Sequence, residues 1–147
     1  MSEDYFQVVR QVSFGERKFD VIGNIKLLER SLVSVHCRSQ WTLEEVNAYR
    51  NNLVLQARKG AVLVGAFISE KERELLQVAY KEELSVIHIR YYGFSNQYRP
   101  TKADRVHCEK GLLLELSPWP ARTFKDPLTR EVCVAMNLIA EDIAMKR

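Results

Sequence analysis

Ala61-Val62-Leu63-Val64-Gly65-Ala66-Phe67 contains no charged and no polar side chain. An apolar run this short, bounded by Lys59-Gly60 before it and Ser69-Glu70 after it, reads as a strand buried on both faces. That is the environment of a central strand in a parallel sheet. Helical patterns flank it on either side. Upstream, Thr42 and Glu45 have the spacing of a capping box, Val46, Tyr49, Leu53 and Ala57 recur at three and four residues, and Gly60 follows Arg58-Lys59 as a stop. Downstream, Ser69 and Glu72 repeat the capping spacing, and Leu75, Leu76 and Ala79 form the apolar side.

The same alternation continues outward. Residues 32–37, 85–91 and 112–116 read as further strands. Thr101 caps a short helix that ends before Gly111, and Asp126-Pro127 opens a final helix with Leu128, Val132, Met136, Ile139 and Ile143 on one side. Residues 5–14 mix aromatic and β-branched side chains and read as a strand with a turn at Gly15-Glu16. Residues 19–22 form a short extended piece and 25–30 a helical turn. Strands alternating with helices predict one Rossmann-like, three-layer α/β domain over residues 1–147, with a mainly parallel sheet and helices on both faces. Residues 1–18 form an N-terminal strand extension of it.

A chain of 147 residues builds one continuous core and is short for two. Its 46% hydrophobic and 28% charged residues are ordinary for a globular domain. No apolar run approaches the roughly 18 residues of a membrane span, and Met1-Ser2-Glu3-Asp4 is acidic where a secretory signal is basic. A cytoplasmic protein without a membrane partner is expected. Cys37, Cys108 and Cys133 are odd in number and widely spaced, which fits neither a disulfide framework nor a zinc ribbon. His36-Cys37 and His107-Cys108 place ligand types side by side, but neighbours on a strand point to opposite faces. Buried free thiols are expected, with no metal and no cofactor.

The net charge of +3 is unevenly spread. From Arg90 to Arg130 there are eight basic residues against four acids, an excess able to form a phosphate-facing patch if the fold gathers it. Right-handed crossovers place the loops after residues 37, 67, 91 and 116 along one sheet edge, where ligands of parallel α/β proteins bind. Arg38, Ser69, the 92–100 loop and Trp119 are expected to converge there. Arg38, Arg99, Lys125 and Arg130 are the candidates to neutralise phosphates, and Phe94, Tyr98 and Trp119 the candidates to stack on bases.

The order of these segments resembles the Rossmann-like domain of the DNA-processing protein A (Smf) family, within the wider group of lysine-decarboxylase-like nucleotide hydrolases. Residues 19–24 with Leu27-Leu28 are similar to the family's entry strand, glycine and Leu-Leu. Residues 33–38 are similar to its strand ending in Gly-Ser-Arg. Residues 111–118 are similar to its Gly-Leu-Leu-hydrophobic-Ser-Glu-Tyr-Pro segment. Tyr98-Arg99-Pro100 stands at its Tyr-Pro-Pro, and Thr129-Arg130 at the opening of its Arg-Asn-Arg helix. Arg38, Gly65 and Arg130 keep family residues, whereas the second glycine of the family's Ser-Gly loop is absent. The resemblance implies this fold, single-stranded DNA binding at an electropositive pocket, loading of a recombinase, and a phosphate-binding place for Gly65 and Ser69.

Three functional readings follow. The first is a non-enzymatic module binding single-stranded nucleic acid or a nucleotide at the strand-end edge. The second is a hydrolase of a nucleotide's N-glycosidic bond, with Glu70 and Glu115 as carboxylates. No glycine-rich phosphate loop or catalytic motif accompanies them, so no catalytic residue is assigned. The third is an association-only domain whose ligand edge has decayed, which predicts an exposed apolar patch; a homodimer is its simplest form.

Overall fold

The computed structural model describes residues 7–147. Tyr5 and Phe6, which the sequence assigns to the first strand, lie outside the described residues. The chain runs β1 (Val9–Phe14), β2 (Arg17–Gly23), a 3-10 helix (Ile25–Glu29), β3 (Leu32–Ser34), α1 (Leu43–Arg58), β4 (Val62–Gly65), α2 (Glu70–Lys81), β5 (Val86–Ile89), α3 (Lys102–Glu109), β6 (Leu113–Ser117) and α4 (Arg130–Ala144). The sheet has six strands in the order β1-β2-β6-β5-β4-β3. β3, β4, β5 and β6 are parallel, while β2 joins β6, and β1 joins β2, antiparallel. The expected mixed, mainly parallel sheet is therefore present, with the N-terminal hairpin supplying the two antiparallel strands.

Alternation along each strand divides the core in two. Val62, Val64, Ile87, Ile89, Leu114 and Leu116 face the 3-10 helix and α4. Leu63, Phe67, Val86 and Leu113 face α1, α2 and α3. β4 is buried throughout, as its uninterrupted apolar sequence requires. Gly65 sits in this strand because β3 passes close by. A Cβ there would lie 3.1 Å from the Val35 carbonyl oxygen and 3.3 Å from the Val35 Cβ.

Several local expectations need correction. Thr42 and Glu45 make the full capping box, but Ser69 and Glu72 make half of one. Ser69 accepts from the Glu72 N–H at 3.2 Å, while the Glu72 carboxylate turns away to the N–H of Cys37 at 3.0 Å. The last helix begins not at Asp126-Pro127 but at Arg130, capped by Thr129. Asp126 is occupied in closing a turn, accepting from the Thr123 N–H at 2.8 Å. β3 pairs over three residues rather than six, although Val35 still donates to Val64 at 2.7 Å. β1 carries a register shift between Val9 and Val12, with Gln11 at φ +56° and its N–H held by Asp20 at 3.1 Å.

The parallel strands follow one another in order, with α1, α2 and α3 on one face. After β6 the chain returns to the face of the 3-10 helix, where α4 packs beneath β3 and β4. Strands lie about 4.8 Å apart, so residues 118–129 must cross the sheet end to get there. This long crossing, rather than a tight βα turn, shapes the functional edge.

Candidate nucleic-acid interface

The carboxyl ends of the four parallel strands form two separate regions. On the β3–β4 side the loops are stitched together. Glu72, buried at the first turn of α2, accepts from the Cys37 N–H and lies 3.5 Å from His36 Nδ1. Lys71 donates to the Trp41 carbonyl at 3.4 Å, and Tyr49 accepts from the His36 N–H at 3.0 Å. In a doubly wound fold this helix N-terminus is the usual seat for a ligand phosphate. Here the first turn of α2 carries two acids, Glu70 and Glu72, whose charge opposes a phosphate at that seat. Ser69 is spent as the cap, and Gly65 is buried against Val35. Arg38 and Arg130 are exposed, and neither forms an ion pair among the described residues.

On the β5–β6 side the edge opens. Residues 91–99 and 120–125, with Arg10 from β1, enclose a cleft of about 1180 Å³. Its lining includes Arg10, Arg99, Arg122 and Lys125, the rings of Tyr91, Tyr92, Phe94, Tyr98 and Phe124, and no carboxylate. The two loops meet at Gly93, whose N–H donates to the Arg122 carbonyl at 2.8 Å. A Cβ at Gly93 would fall 2.6 Å from the Pro120 carbonyl oxygen, so only glycine permits this approach. A smaller depression lined by Gln7, Val8, Arg10, Ser95, Asn96, Tyr98 and Arg99 adjoins the cleft.

The basic groups differ in freedom. Arg10 is paired with Asp20 at 2.9 Å and donates to the Phe94 carbonyl at 2.7 Å. Arg122 staples its loop through the carbonyls of Tyr91, at 3.0 Å, and Pro127, at 2.7 Å. Arg99 donates to the carbonyls of Asn96 and Tyr98. These carbonyls position Arg99 and Arg122 without cancelling their charge. Lys125 is exposed, its Nζ 6.0 Å from the centre of the Phe124 ring. Three positive charges therefore face the cleft with no carboxylate partner.

Beneath the cleft lies a buried polar cluster. Arg90 donates to Glu115 at 2.7 Å and to Asp104 at 2.9 Å; Tyr98 donates to Glu115 at 2.6 Å and Tyr80 to Asp104 at 2.8 Å. Burial pushes the Glu115 carboxyl above its ordinary range, against the opposing pull of Arg90 and Tyr98. For Arg90, burial is outweighed by Glu115 and its neighbours, which hold the guanidinium charged. Glu115 is thus the ion-pair partner of Arg90. Its Oε1 accepts from both Arg90 and Tyr98, an arrangement that anchors the 91–99 loop.

The stacking candidates divide. Phe94 is 2% exposed and lies against Tyr98, ring centres 5.0 Å apart, so its faces are already covered. Tyr98 is half-buried, with its ring in the lining and its hydroxyl tied to Glu115. Trp119 is half-buried over the core on the α4 side. Its Nε1 is buried with no partner among the described residues, and it does not line the cleft. Phe124, absent from the sequence-based candidates, is 66% exposed at the cleft wall. Its signal was a large ring between Thr123 and Lys125 in a loop rich in turn residues. The cysteine–histidine pairs stand apart: Cys37 follows the edge strand β3, and Cys108 lies on α3 over β6. His107 donates from Nε2 to the Leu84 carbonyl at 2.7 Å and stacks on Tyr80.

The fold and site define an α/β domain with a basic, aromatic cleft over two adjacent strand ends and an acidic helix N-terminus over the other two. No family model and no curated protein matches the sequence. Among solved structures, the chain is similar to DNA processing protein A from Helicobacter pylori, described for its single-stranded DNA binding mode. The TM-score is 0.65 at 15% identity, covering 95% of this chain and 67% of that one. At that identity the likeness establishes a shared fold.

Proposed function

We propose that this domain binds single-stranded nucleic acid in the cleft between residues 91–99 and 120–125, without catalysis. The observation that carries the reading is the lining, with four basic residues, five aromatic rings and no acid in about 1180 Å³. Backbone phosphates need unpaired positive charge, and unstacked bases need exposed rings; an ion-free apolar pocket would serve neither. Arg99, Arg122 and Lys125 meet phosphates, while Phe124 and the partly open Tyr98 ring receive bases. The solved structure of similar fold, itself a single-stranded DNA binder by its description, is consistent with this class of ligand. A glycosidase reading gains nothing from Glu115, which is enclosed, or from Glu70, which lies outside the cleft.

The test is titration of a labelled single-stranded oligonucleotide by fluorescence anisotropy over a range of salt. Binding should weaken with salt by a slope of about −0.7 in log K per phosphate contact. An equal-length duplex should bind less tightly, since its bases are not available to Phe124. Absence of binding at low salt and high micromolar protein would end the proposal.

A further inference from the structure

The first strand is bent at Arg10-Gln11. Between the pairs Val9–Val21 and Val12–Phe19 these two residues together oppose the single residue Asp20, and Gln11 lies in the left-handed region at φ +56°. Such a bulge re-aims a side chain, and its strain persists only where the surroundings hold it. Asp20, 2% exposed, is the holder: Oδ1 accepts from the Gln11 N–H at 3.1 Å and Oδ2 from Arg10 at 2.9 Å. Arg10, aimed in this way, reaches from the hairpin to the Phe94 carbonyl at 2.7 Å. The bulge thereby ties the N-terminal hairpin to the 91–99 loop.

The surface so joined carries the cleft onward. The depression of about 390 Å³ at Gln7 and Val8 shares Arg10, Ser95, Asn96, Tyr98 and Arg99 with the cleft of about 1180 Å³. Among the described residues, neither lining includes a carboxylate. A free dinucleotide is held by an acid on its sugar hydroxyl and a glycine-rich turn on its phosphates. Neither is found in the linings: residues 91–99 and 120–125 hold one glycine, Gly93, whose N–H donates to the Arg122 carbonyl. The cleft is also larger than the roughly 300–1,000 Å³ of a small-ligand pocket. A strand needs instead a continuous track of positive charge and rings, with polar side chains along it to meet base edges. Gln7, Ser95 and Asn96 are exposed on that track.

We propose that a strand bound in the cleft continues across Tyr98 and Arg99 into the depression at Gln7 and Val8, so that the ligand is a chain longer than about four nucleotides and not a free nucleotide. The inference rests on the reading of the cleft as a single-strand site and adds the hairpin to it.

Fluorescence anisotropy of the full chain with labelled thymidine oligonucleotides at low salt tests it. After allowance for the extra registers of a longer strand, an octanucleotide should bind about tenfold more tightly than a tetranucleotide. Thymidine monophosphate at millimolar concentration should not displace the octanucleotide. Gln7→Glu with Val8→Glu sets negative charge in the depression and should remove most of that gain, leaving the tetranucleotide's affinity little changed. Gln7→Glu alone, at an exposed position, should act in the same direction, and circular dichroism checks that both variants fold. A loss of stability alone would weaken both lengths alike, so the ratio of the two affinities is the readout. No binding at either length would overturn the strand site and its extension together. Equal affinity for the two lengths, displacement by the monophosphate, or an octanucleotide indifferent to both variants would overturn the extension and leave the cleft reading in place.

Discussion

The Tyr98 hydroxyl donates a 2.6 Å hydrogen bond to the Glu115 carboxylate, joining a ring in the wall of the cleft to the sheet beneath it. Tyr98→Phe keeps the ring and removes the bond, leaving a buried carboxylate one donor short. Such a loss costs about 1–3 kcal/mol. A urea melt should show a lowered midpoint with an unchanged slope. Equal stability would mean that Arg90 alone satisfies Glu115.

The two groups of basic residues predict different salt behaviour. Arg99→Ala with Lys125→Ala removes two cleft charges and should flatten the log K against log salt slope by about 1 to 2 units. Arg38→Ala with Arg130→Ala, outside the cleft lining, should leave that slope within error. The reverse result would place the phosphates at the β3–β4 side. Phe124→Ala should weaken binding by about 1–3 kcal/mol with little change in slope.

Gly65→Asp should be severely destabilising. Its Cβ would press on Val35 at 3.1 Å, and its carboxylate would be buried without a partner. Overpacking costs about 1–3 kcal/mol, and an uncompensated buried charge about 3–5 kcal/mol. Gly65→Ala isolates the steric part and should fall in the lower range. Full thermal stability of Gly65→Asp would show that β3 can move aside.

Burial holds both His88 and His107 below the usual histidine range. The unfolded chain then takes up protons that the folded chain refuses. Stability is fully present above about pH 6.5 and is lost as pH falls toward the folded-state values, by up to about 1.4 kcal/mol per pH unit for each histidine. His88 Nε2 lies 3.1 Å from the Ala66 carbonyl, a bond that the amide of His88→Gln can replace. That variant should lose one proton's worth of the slope in melts between pH 7 and 5. The raised carboxyl of Glu115 acts with opposite sign, but it is present in both proteins and drops out of the difference. Identical slopes would mean that His88 titrates normally.

The layered fold was legible because β4 admits one environment and because the capping residues Thr42, Ser69 and Thr101 announce their helices locally. The end of β3 and the start of α4 were not. Asp126 has the chemistry of a cap, and only the position of Thr123 shows that it closes a turn instead. The edge where ligands belong was readable from strand direction, and the 92–100 loop was placed correctly on it. Its division was hidden, because the distance between Arg38 and Lys125 depends on strand order, which periodicity does not encode. Phe94 and Phe124 are the same residue type in similar polar loops. Which one is buried depends on where the 118–129 crossing lies, a long-range fact. Glu72 was legible as a helix-capping residue but not as the acceptor that ties down the chain after β3, since its partner, Cys37, lies 35 residues away.

The two outer strands of the sheet have a consequence for how the chain behaves when crowded. β3 offers three residues, and β1 is kinked at Gln11, whose N–H is already committed to Asp20. Among the described residues, neither rim presents the long, flat ladder of open amides on which a foreign strand would grow. Concentrating this protein should therefore not produce fibres propagated through the backbone.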